Sequence, residues 1–176
     1  MKYFDQHLTY DRKIIVKMRF KNLKILQNKE QIIQNYKISN FWKGRFFLKR
    51  LINKIFKYRL YKPLKWEKNF WNIITIKSGE SEIQLSENLK DMVSLDLIIK
   101  KNTRKERYKD IKKYQEIINT GINMGPLLYI TGKCLNYLGA KTDENDIFIL
   151  DGSRRLIANV LNKKNPEILL LDLNNE

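Results

Sequence analysis

Apolar residues punctuate the first third of the chain at helical intervals. In residues 19–36, "RFKNLKILQNKEQIIQNY", Phe20, Leu23, Leu26, Ile33 and Tyr36 fall mostly three and four apart. That spacing predicts an amphipathic helix. Residues 41–60 predict a second one, with Leu48, Leu51, Ile52 and Ile55 on one face. Lys62-Pro63 should end it, because the residue before a proline is pushed out of the helical region. The pattern then changes. Phe70 to Ile76 is β-branched and aromatic and runs into Ser78-Gly79, which predicts a strand and a turn. Residues 86–99 read as a short helix or turn followed by an extended run, "LDLII".

Thr103 and Glu106 have the spacing of a capping box. A helix is expected from Arg104 to about Asn119, burying Tyr108, Ile111, Tyr114, Ile117 and Ile118, with Gly121 as its stop. "GPLLYITG", residues 125–132, predicts a strand, and residues 147–150 another. Asp151 to Ser153 should form a turn into a helix over 154–162. Asn165-Pro166 breaks that helix before a last strand, 167–172. Residues 67–176 thus read as strand, helix, strand, strand, helix, strand. The expected architecture is a compact α/β (α+β) domain over 67–176, preceded by a basic helical extension over 1–66.

Charge sharpens that division. The chain has 176 residues and a formal net charge of +16. Residues 1–66 carry 18 Lys and Arg against three acids (Asp5, Asp11 and Glu30), and residues 67–176 carry 17 against 16. A codon bias toward Lys, Asn and Ile would raise Lys everywhere, yet would not keep acids out of one segment. The asymmetry points to a polyanion or an anionic membrane. A single cysteine, Cys134, excludes an internal disulfide and a cysteine zinc site. His7 is the one histidine, near the N-terminus, so neither a histidine metal site nor a Ser-His-Asp triad is expected. The N-terminus has no apolar signal region, and no run of 18 uncharged apolar residues occurs, so a cytoplasmic location is expected.

The chemistry concentrates at "ILDGSRRLIANVL", residues 149–161. A helix N-terminus presents unpaired N–H groups and about half a positive charge. Gly152 permits close approach, Ser153 offers a hydroxyl, and Arg154 and Arg155 carry planar donor forks suited to phosphate. Asp151 could cap the helix, pair with an arginine, act as a base or hold a Mg²⁺ that bridges phosphates. In the purely structural alternative Asp151 caps the helix and the arginines pair with Asp143, Glu144 or Asp146. Glu106 and Glu116 on the preceding helix could approach Asp151, or simply serve a cap and a surface.

This stretch resembles the second signature of the ParB/sulfiredoxin-like superfamily, a strand ending in a Gly-x-x-Arg-x-x-Ala helix start, with Gly152, Arg155 and Ala158 at those positions. Upstream, "YQEIINTGINMGPLLYI" is similar to the helix, Gly and Gly-Pro-apolar strand of the same families. The resemblance covers roughly residues 86–173 and implies a small mixed sheet with packed helices, in a ParB N-terminal-like domain. It also implies a nucleotide-phosphate pocket: ParB proteins use CTP, sulfiredoxins ATP and a related serine kinase ADP, and some relatives are nucleases. The chain departs from each. Ser153 stands where sulfiredoxins carry a catalytic Cys and ParB proteins a Glu, so sulfiredoxin chemistry is not expected. Arginine follows where the serine kinase has histidine. No helix-turn-helix domain follows within these residues, so a partition-type DNA clamp is not expected either.

Residues 41–66 contain nine basic residues, no acid and eight aromatics. Lys43, Arg45, Lys49, Arg50, Lys54, Lys57 and Arg59 are the candidate contacts to nucleic acid, with aromatics stacking on bases. An anionic membrane is the competing partner, with aromatics at the headgroup boundary. The bland alternative packs the apolar face on the α/β domain and leaves the cations to solvent. The expected function is nucleotide or phosphate binding at Asp151–Arg155, coupled to nucleic acid through the basic segment. A small-molecule kinase or nucleotide hydrolase of the same fold is one alternative. A peripheral membrane adaptor with a vestigial pocket is the other.

Overall fold

The computed structural model describes residues 9–10, 13–14, 16–32, 72–85, 91–137 and 142–173. The predicted helix at 41–60, with its seven candidate cations Lys43 to Arg59, lies outside the described residues. The fold is mixed α/β. Strands β3 (Val16–Ile25), β4 (Ile74–Leu85), β5 (Leu127–Thr131), β6 (Ile147–Asp151) and β7 (Glu167–Leu173) form one sheet in the order β3-β4-β7-β5-β6. Pairing is antiparallel except between β5 and β7, where Leu127 to Ile130 run parallel to Ile168 to Leu171. A separate two-stranded ribbon joins β1 (Thr9–Tyr10) to β2 (Lys13–Ile14). The helices are α1 (Met92–Asn102), α2 (Lys105–Asn119), α3 (Gly132–Tyr137) and α4 (Ser153–Leu161), and residues 29–32 and 72–73 are helical as well.

The sheet is covered on both faces. One face presents Val16, Met18, Phe20, Leu127, Tyr129, Ile168 and Leu170 to Leu95 and Ile99 of α1, Ile111 and Ile118 of α2, and Leu156, Ile157 and Val160 of α4. The other gathers Ile74, Ile76, Leu128, Ile130 and Leu171 around Cys134 of α3. Burying both faces makes β5 continuously apolar, and Leu127 to Thr131 are all buried. Each such Leu or Ile contributes about 1.5–3 kcal/mol relative to an exposed one.

Four sequence expectations are corrected. Residues 19–25 belong to a strand, not a helix. Val16, Met18 and Phe20 are buried while Lys17 and Lys21 are exposed, a period of two that begins before the window suggesting a helix. This strand pairs with β4, so a segment assigned to the basic extension is an integral part of the sheet. Ser78-Gly79 does not turn. β4 runs through it to Leu85, and a Cβ on Gly79 would sit 2.7 Å from the Lys21 carbonyl oxygen, opposite the register shift between Lys21 and Lys24. The "LDLII" run is helical in α1, which is capped by Asp91 accepting from the Ser94 N–H at 2.6 Å. Thr103 ends α1 rather than opening a capping box, and the first residue before α2, Arg104, makes no side-chain cap. Helix α3 forms where no apolar periodicity marks a helix.

The remaining elements follow expectation closely. Strands β5, β6 and β7 and helices α2 and α4 stand within two residues of their predicted bounds. Gly121 closes α2 with φ +83° and donates to the Ile118 carbonyl. Among the described residues no helix is long and apolar enough to cross a membrane.

Candidate phosphate-binding turn

The turn between β6 and α4 is shaped by Gly152, whose φ of 96° and ψ of 16° place it in the left-handed region. Its missing Cβ is used for packing: a methyl there would lie 2.7 Å from Leu127 Cδ2 and 3.1 Å from Arg155 Nη2. The Leu156 N–H donates to the Gly152 carbonyl at 2.8 Å, the first backbone bond of α4. No side chain caps the helix, so neither Asp151 nor Ser153 fills that role. The three N–H groups of Ser153, Arg154 and Arg155 precede that first bond, as the leading donors of a helix must.

Helices α2 and α4 run in the same direction. Arg107 reaches Ser153 at the start of each, Asp110 pairs with Arg154, Asn162 donates to the Gln115 carbonyl, and Lys164 donates to the Ile118 carbonyl. Residue numbers rise together along both helices, so their N-termini lie at one end. Two positive dipole ends therefore add there. Arg107 Nη2 donates to Ser153 Oγ at 3.1 Å, which sets a guanidinium directly beside the uncapped turn. Sequence reasoning missed Arg107, and only the parallel packing of the two helices reveals it.

The paired arginines have different lives. Arg154 is half exposed and pairs with Asp110 at 3.0 Å. Arg155 is turned inward, with its side chain 17% exposed. Its Nη1 donates to the carbonyls of Met124, Gly125 and Pro126 at 2.6, 3.1 and 3.3 Å, and Nη2 meets Asp151 Oδ2 at 3.4 Å. It thus ties the entry of β5 to the start of α4. Neither arginine takes Asp143, Glu144 or Asp146 as its partner; the ion pairs are with Asp110 and Asp151. Ala158 is fully buried in the core beneath the turn.

Asp151 has a 61% exposed side chain at the end of β6. No group of three His, Cys, Asp or Glu side chains that could hold a metal occurs among the described residues. A Mg²⁺ at Asp151 would be shared with the phosphates of a ligand, the way this small cation is commonly held. Glu106 and Glu116 are both exposed on α2. Cys134 is buried on the opposite face of the sheet. Burial pushes its thiol up to about 11, with Asp172 adding to the rise, so it carries no thiolate near neutral pH.

Compared with protein-family models, with curated proteins and with solved structures, the chain shows no match to any of the three.

Proposed function

We propose that the β6–α4 turn binds the phosphate of a nucleotide, with Ser153, Arg107, Arg154 and the leading N–H groups of α4 as its donors. The reading rests on one observation: Arg107 is carried across from α2 onto Ser153, at a helix start that no side chain caps. An anion there would meet two aligned helix ends and a forked guanidinium. Arg155 is a positioning residue in this reading, since its Nη1 already serves three carbonyls. The strand–Gly–helix turn would then be used as the resemblance to the ParB/sulfiredoxin-like superfamily implies. The basic segment containing Lys43 to Arg59 would bring the domain to nucleic acid. Turnover is a second reading, favoured by the exposure of Asp151 beside the same turn, where it could act as base or share Mg²⁺ with the phosphates.

Thermal unfolding with CTP, ATP or ADP, each with and without Mg²⁺, tests the proposal. At least one nucleotide should raise the Tm, and Arg107→Ala should abolish the rise while Ser153→Ala reduces it. Absence of a shift with every nucleotide, or an undiminished shift in Arg107→Ala, would overturn it.

A further inference from the structure

The α1–α2 region carries a cationic ridge that the phosphate turn does not use. From Lys100 to Lys113 there are eight basic residues and two acids, Glu106 and Asp110. Asp110 is spent on Arg154, and Lys112 on Asp96 at 3.1 Å. Arg107 is directed at Ser153. Six cations remain, Lys100, Lys101, Arg104, Lys105, Lys109 and Lys113. All are exposed, and none of their side chains has a hydrogen-bond or ion-pair partner among the described residues. Lys105, Lys109 and Lys113 stand four apart on α2, opposite its buried Ile111 and Ile118. They form a straight outward row with a step of about 6 Å. Like charges at this spacing destabilise a helix; Glu106 and Glu116, three residues from Lys109 and Lys113, offset part of that cost, and bound phosphates would offset more.

We propose that this row is a docking surface for the phosphate backbone of duplex nucleic acid, with Lys100, Lys101 and Arg104 extending it at the α1–α2 corner. End to end the three lysines span roughly 12 Å, the axial length of three to four phosphates on one strand. Single-stranded ligands call for aromatic stacking platforms, and the row has none: the two aromatics of α2, Tyr108 and Tyr114, are partly buried against the core, with the Tyr108 hydroxyl 3.0 Å from Asp96 Oδ2. A membrane surface calls for apolar residues beside the cations. The outward side of α2 carries no exposed apolar residue; the exposed Val93 and Leu97 stand on α1. Contact through the lysine row is with phosphates, so it is independent of base sequence. It does not depend on nucleotide binding at the β6–α4 turn.

The test is fluorescence anisotropy of the full chain with a mixed-sequence duplex DNA across a salt series. The triple variant Lys105→Gln, Lys109→Gln, Lys113→Gln should bind at least tenfold more weakly. The slope of log K against log salt should become shallower by about 2.7, three phosphate contacts' worth. A charge-matched control, Lys17→Gln, Lys24→Gln, Lys133→Gln, alters exposed lysines elsewhere and should retain most of the affinity. Thermal unfolding confirms that both variants are folded. Equal losses in the two triples, or no change of slope in the first, overturn the proposal. So does a α2 variant that keeps duplex binding but loses single-stranded DNA or anionic vesicles.

Discussion

Arg155 Nη1 lies 2.6 Å from the carbonyl oxygen of Met124, a residue 31 positions earlier in the chain. With the Gly125 and Pro126 carbonyls beside it, one guanidinium nitrogen gathers the whole loop that leads into β5. Hydrogen bonds to a charged group contribute about 1.5–3 kcal/mol, and loss of the donor leaves the carbonyls short of a partner. Arg155→Ala is expected to lower stability by about 2–3 kcal/mol in urea unfolding, with an unchanged m-value. Arg155→Lys should recover only part of this, because an ammonium lacks the planar fork. A loss below about 0.5 kcal/mol would mean that solvent serves those carbonyls equally well.

Gly152 and Gly121 offer a paired comparison. Both have positive φ, but a Cβ on Gly152 meets Leu127 and Arg155, while one on Gly121 has nothing within 4 Å. Gly121→Ala should cost only its backbone strain, about 1 kcal/mol. Gly152→Ala should cost at least about 1 kcal/mol more, because Leu127 is a buried side chain with little room to move. Equal costs in denaturant titrations would refute the steric account of the turn.

Phe20 tests whether β3 belongs to the folded unit. Its ring is 1% exposed and meets Tyr129 edge to face at 4.9 Å between centroids. Phe20→Ala is expected to cost about 3–5 kcal/mol. An extension free of the core would lose almost nothing on the same substitution, so calorimetric unfolding separates the two cases.

Alkaline pH should weaken the fold in a defined window. Burial raises both the Cys134 thiol, to about 11, and the Tyr129 phenol above the ordinary tyrosine range. Each group is neutral in the folded state and ionises more readily when unfolded. Their contribution is therefore complete below the unfolded pKa and is lost as pH rises through the folded value. For the thiol this spans about pH 9 to 11. Denaturant midpoints at pH 7, 9 and 10.5 should fall progressively over the last two. A thiol reagent at pH 8 should find Cys134 unreactive until denaturant is added; rapid labelling of the native protein would contradict its burial.

The second half of the fold was legible because local signals and tertiary structure agree there. Gly121 stops α2, Gly152 opens α4, Pro166 precedes β7, and each apolar run between them matches its element. The first half misled where local and long-range patterns compete. Phe20, Leu23 and Leu26 carry a helical spacing, but Val16, Met18 and Phe20 carry a strand spacing, and pairing with Ile83 and Ser81 of β4 decides between them. Gly79 looked like a turn because a glycine alone does not reveal that another backbone, at Lys21, presses against it. At the site, the Gly152 turn and Arg154 were visible in the local sequence. Arg107 was not, because its role comes from the side-by-side packing of two helices separated by 33 residues of chain.

The position of β7 bears on when this protein can fold at all. Residues 167–173 come last in chain order among the five strands of this sheet, yet they lie at its centre, bonded to β4 on one side and to β5 on the other. Until Leu173 is synthesised, β3 with β4 and β5 with β6 are two half-sheets whose inner edges have nothing to bind. A growing chain emerging from a ribosome would therefore expose two open edges until β7 follows, and that one strand would close both.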